Sequence, residues 1–112
     1  MNDRVLMSTE EGVCHVRLNR PDKMNALDPA MFDGITAALA ALARDTSIRV
    51  IVLSGEGKAF CACLDLGSFG LSDDAPTALV PRTHGKANGV QHLGWGWRQL
   101  PVPVISALHG VC

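Results

Sequence analysis

The run Val50-Ile51-Val52-Leu53, closed by Ser54-Gly55, constrains this chain most. Four consecutive apolar residues, two of them valine and one isoleucine, favour extended backbone. With no alternation, they predict a strand buried on both faces, the habit of a strand inside a layered α/β fold. Such a strand needs parallel neighbours and helices to cover it. Val104 to Leu108, introduced by Pro101 and Pro103, supplies a second apolar strand of the same kind.

The segments around these strands agree. Val13 to Leu18 alternates, with Cys14, Val16 and Leu18 on one side and Val13, His15 and Arg17 on the other. It reads as a half-buried strand, paired with Val5 to Ser8 across a turn at Glu10-Glu11-Gly12. RPDKMNALDP, with two prolines and a polar cluster, is a loop. Asp28 is a helix N-cap and Pro29 occupies the first helical position. Phe32, Ile35, Leu39 and Leu42 then recur at helical spacing, and the helix ends near Arg44, with Gly34 weakening it by about 1 kcal/mol. Residues 67 to 89 form a long loop rich in Gly, Pro, Asp and Ser. A weak helix carries Val90, Leu93, Trp97 and Leu100, diluted by Gly94 and Gly96.

Composition excludes several classes. At 112 residues the chain is one domain at most, 1–112. It is 47% hydrophobic and 19% charged, with mean hydropathy +0.17, which excludes a disordered chain. A net charge of −1 gives no electrostatic footprint for nucleic acid, and no apolar run is long enough for a membrane span. The N-terminus lacks the apolar stretch of a secretory signal, so a cytoplasmic location is expected. Cys14, Cys61, Cys63 and Cys112 then read as reduced thiols. C-x-C is a weak metal signal, and His15, His84, His92 and His109 are scattered, so no metal is expected. A thiol redox or metal module on Cys61 and Cys63 is the alternative that thiol titration and metal analysis would reveal. The apolar strands have too few covering elements, which reads as the front part of a larger domain. A small domain that buries these faces by self-association is the alternative.

Three stretches in register, LNRPDKMNALDPAMF, VIVLSGEGKAFCACLDL and QLPVPVISALHGVC, closely resemble the N-terminal part of the enoyl-CoA hydratase/isomerase (crotonase) family. The resemblance implies an α/β fold, an incomplete ββα spiral, with family members assembled as trimers or hexamers. It implies an acyl-CoA thioester as substrate, with coenzyme A part of that substrate and no separate cofactor. It implies hydration or double-bond isomerisation through an oxyanion held by backbone amides. The first such donor is the N–H of Leu64, just after Ala62-Cys63. Lys23, Met24, Asn25 and Ala26 fall in the loop that helps hold the CoA moiety. Lys58, Phe60 and Ala62 lie toward its adenine end, and Leu64, Asp65 and Leu66 complete the contact.

Each role has a plainer rival. Lys23 is either a phosphate partner or a solvated lysine. Asp65 and Leu66 open a short helix, with Asp65 an N-cap rather than a base. Phe60 and Leu64 equally suit the core of a strand-to-helix turn. Trp95 and Trp97 line the acyl pocket or simply fill the core, and His109 is structural. Cys63 departs from the family's glycine. If that position has positive φ, cysteine there costs about 1–2 kcal/mol and crowds the Leu64 amide, impairing the site rather than powering it. The second oxyanion donor and the acid/base glutamates of the family fall beyond Cys112. These 112 residues alone are therefore expected to show no hydratase turnover. The rival function is a non-catalytic remnant that binds CoA or packs with partners.

Overall fold

A computed structural model describes residues 3–65 and 91–112. The elements are β1 (Val5–Glu10), β2 (Val13–Leu18), a 3-10 turn (Pro21–Lys23), α1 (Pro29–Arg44), β3 (Val50–Gly55), α2 (His92–Arg98) and β4 (Val104–Ser106). They build one sheet in the order β1-β2-β3-β4. β1 and β2 form an antiparallel hairpin from Val5↔Leu18 to Glu10↔Val13. Its two-residue turn uses Glu11 at φ 51° and Gly12 at φ 83°, the left-handed pair that matches strand twist. β3 then pairs parallel with β2 and with β4. The expected hairpin, helix and parallel pairing are all present.

The register places Cys14 beside Ile51 and Val16 beside Leu53, so one face of the sheet is apolar. α1 covers that face with Met31, Ile35, Ala38, Leu39 and Leu42, and Leu93 of α2 closes the cluster. One expectation is corrected here. β3 is buried on one face, through Ile51 and Leu53, while Val50 and Val52 are only half-buried. β4 is likewise shorter than Val104 to Leu108, and it is not a buried strand. Val104 faces the core half-buried, while Ile105 and Ser106 are exposed. The sheet has α1 on a single face, so the valines opposite gain less burial. Among the described residues, no helix is long and apolar enough to cross a membrane.

Asp28 fixes the start of α1. Its Oδ1 accepts the Met31 N–H at 2.8 Å, the N-cap bond expected from Asp-Pro. Its Oδ2 accepts from Arg4 Nη2 at 2.8 Å and lies 3.5 Å from Arg20 Nη1. Burial pushes this carboxyl up, but the Arg4 hydrogen bond, the Met31 amide and the two guanidinium charges outweigh it and hold it below its ordinary value. A carboxylate depressed in the folded state stabilises fully above its unfolded value, about 3.9, and the stabilisation is lost as pH falls through the folded value. Urea midpoints at pH 6 and pH 3 should therefore fall further apart in the native chain than in Arg4→Met, which removes the strongest depressing partner. Equal falls would remove Asp28 from the acid response.

Candidate functional site

The loop after β2 is tied to the loop after β3 by one buried side chain. Asn25 adopts φ 57°, a left-handed conformation that Asn tolerates better than most residues. Its Oδ1 accepts from the Arg20 N–H at 2.7 Å. Its Nδ2 lies 3.0, 2.9 and 3.1 Å from the carbonyls of Glu56, Ala59 and Phe60. These carbonyls reach Asn25 because Gly55 lets the chain fold back. A Cβ at Gly55 would overlap the Phe60 carbonyl and stand 2.7 Å from Asn25 Nδ2. On the far side the Phe60 N–H donates to His109 O at 2.8 Å, and His109 Nε2 meets Gly57 O at 2.8 Å. His109 thus makes the structural contacts expected of it.

Beyond Phe60 the chain runs alongside the first loop. Ala62 N–H donates to Met24 O at 2.9 Å, Leu27 N–H to Cys63 O at 2.8 Å, and Asp65 N–H to Leu27 O at 3.0 Å. The last two form a parallel bridge between Leu27 and Leu64. In such a bridge the central residue's own N–H points away from its partner strand. Among the described residues the Leu64 N–H has no acceptor. Leu64 is 41% exposed and lines a cavity of about 580 Å³. Phe32 and Ile35 of α1, Leu93 and Trp97 of α2, and Phe60 give that cavity its apolar walls.

Cys63 has φ 72°, the left-handed region that favours glycine, and it bears the strain of about 1–2 kcal/mol that its sequence position suggests. Its N–H donates to Cys61 Sγ at 3.4 Å, and that sulfur contacts Asn25 O at 3.3 Å. Burial pushes the Cys61 thiol up, Cys63 adds to this, and the Cys63 amide only partly offsets it. Cys61 is therefore a protonated thiol in the scaffold, since the nucleophile would be the thiolate. All four cysteines are free. Among the described residues, no three His, Cys, Asp or Glu side chains are grouped to hold a metal ion.

The other expected residues are dispersed around this loop. Lys23 ends the 3-10 turn with Met24 next to it, both exposed, while Ala26 is buried. Lys58 is exposed, and Phe60 and Ala62 are half-buried. Asp65 accepts from Arg20 Nη1 at 2.8 Å. Leu66, the short helix it would open, the loop 67 to 89 and Val90 lie outside the described residues. Trp97 lines the cavity and also packs on the core, whereas Trp95 is exposed under the Arg98 guanidinium at 5.9 Å. Nothing in the sequence pattern marks Arg20 for this site. Its acceptor Asp65 is 45 residues away, and only the fold brings the two together.

Comparison with known proteins gives this arrangement a family. Residues 8–112 match the enoyl-CoA hydratase/isomerase family model. The human mitochondrial Delta(3,5)-Delta(2,4)-dienoyl-CoA isomerase is 33% identical, over 94% of this chain and 34% of that protein. The Escherichia coli 1,2-epoxyphenylacetyl-CoA isomerase is 32% identical, over 99% of this chain and 42% of that one. A crystal structure of a Mycobacterium smegmatis enoyl-CoA hydratase superposes with a TM-score of 0.82 at 34% identity, covering 97% of this chain and 41% of that one. The chain spans about a third to two fifths of the length of these relatives. With the family model matched over residues 8–112 and the fold superposed over 97% of its length, the chain belongs to the enoyl-CoA hydratase/isomerase family.

Proposed function

We propose that this chain binds an acyl-CoA thioester and that the Leu64 N–H donates to the thioester carbonyl oxygen as negative charge builds there. One observation carries the reading. The groups on either side, Cys63 C=O and Asp65 N–H, are spent on Leu27, while the Leu64 N–H is left without a described acceptor beside an apolar cavity. A fixed amide dipole needs no reorganisation when charge appears, and removal of one such donor typically costs 10²–10³-fold in rate. The cavity walls suit the acyl chain. Lys23 and Lys58, both exposed, suit the anionic end of coenzyme A, with Met24, Ala26, Phe60, Ala62 and Asp65 on the same two loops. The reaction of a whole protein built on this segment is hydration or double-bond isomerisation through an enolate-like intermediate, in a homo-oligomer, while these 112 residues alone are expected to bind without turnover.

Cys63 favours a slow version of this site. Its side chain stands where the family resemblance puts glycine, one residue from the donor, and a 1 Å displacement of a reacting group can cost about 10²-fold. Calorimetry with butanoyl-CoA and with S-butyl-CoA, its thioether without the carbonyl, tests the proposal. The thioester should bind about 3–10-fold tighter, the worth of one hydrogen bond. Equal affinities, or no binding of either, would count against it.

A further inference from the structure

We infer that Arg20 is a positioning residue for the Leu64 amide, an inference that rests on the reading that this amide receives the thioester carbonyl. The Arg20 side chain is only 12% exposed. Its Nη1 donates to Asp65 Oδ2 at 2.8 Å and to Ala26 O at 3.1 Å, and lies 3.5 Å from Asp28 Oδ2. Asp65 directly follows Leu64, and Ala26 directly precedes Leu27. One guanidinium therefore grips both chains immediately beside the Leu27–Leu64 bridge.

That bridge needs external support. It has two backbone hydrogen bonds, and the residue before the donor is strained at φ 72°. A relaxation of Cys63 toward negative φ would rotate the next peptide plane, which carries the Leu64 N–H. Arg20 opposes this by anchoring Asp65, while Asp28 is held in turn by Arg4 and the N-terminus of α1. The rigid guanidinium matters here, because the two hydrogens of one Nη1 are held in its plane, one toward each chain. A lysine offers a flexible point charge instead.

The test reads the carbonyl itself. Infrared difference spectra of butanoyl-CoA carrying a ¹³C-labelled thioester carbonyl would be recorded on the native chain and on Arg20→Lys, Arg20→Ala and Arg4→Ala. In the native chain the band should move to lower frequency than in water. Arg20→Lys and Arg20→Ala should each lose more than half of that displacement, with S-butyl-CoA affinity within twofold of native. Arg4→Ala loosens the same network on the far side of Asp28 and should keep the native displacement. An unchanged band in a folded Arg20→Lys would overturn the inference alone. So would losses in Arg20→Lys and Arg4→Ala that merely track their thermal stabilities. A bound native complex with no displacement would overturn the Leu64 reading and this inference with it.

Discussion

Asn25→Leu is expected to lose about 4 kcal/mol of stability, a large part of the 5–15 kcal/mol typical of a folded domain. Asn25 is fully buried and satisfies partners from two separated segments. Its Nδ2 has only two hydrogens for the carbonyls of Glu56, Ala59 and Phe60, so one of those bonds is shared. Its Oδ1 takes the Arg20 amide. Leucine strands these groups, at about 1–3 kcal/mol for each that stays dry. Left-handed backbone at φ 57° adds about 1 kcal/mol, and burial of the new methyl groups returns about 1–2 kcal/mol. The unpaired groups decide the sign. Urea unfolding should show a lowered midpoint at unchanged slope. A loss below about 1 kcal/mol would mean that water or a backbone shift replaces the amide.

Gly55→Ala should cost about 3 kcal/mol, at the upper end for overpacking, although it adds a single methyl group. Gly55 has ordinary backbone torsion, so the cost is purely steric. The added Cβ overlaps the Phe60 carbonyl and stands 2.9 Å from the Ala59 carbonyl. Both are main-chain atoms that cannot swing aside like the tip of a long side chain. Relief requires Ala59-Phe60 to retreat from Asn25, which moves the chain that leads into Leu64. The same variant should therefore lose the preference for butanoyl-CoA over S-butyl-CoA. A variant of native stability and native preference would show that this close approach is not needed.

The fold was legible wherever the sequence carried a period or a cap. Cys14, Val16 and Leu18 alternate, and they are the buried face of β2. Asp28-Pro29 announces α1, and Asp28 caps it. Val50 to Leu53 carries no alternation, so its one-sided burial could not be read from residue type. Trp95 and Trp97 both looked eligible for the pocket. Two residues on a helix point about 200° apart, so α2 can aim only one of them inward, and its rotation is set by packing of Leu93 on the core. The position of Leu64 came from motif register. The ion pairs that surround it did not, because Arg20, Asp28 and Asp65 read individually as ordinary polar residues of loops and caps. Asn25 falls in a loop that its sequence marks by prolines and polar residues, but its work inside the scaffold depends on three carbonyls 31 to 35 residues away.

A crystal structure of the chain with butanoyl-CoA measures the central claim most directly. The account expects the thioester oxygen about 3 Å from the Leu64 nitrogen, with the N–H in line. A bound thioester whose oxygen lies elsewhere, or a Leu64 amide engaged with the protein's own backbone in that complex, would contradict it.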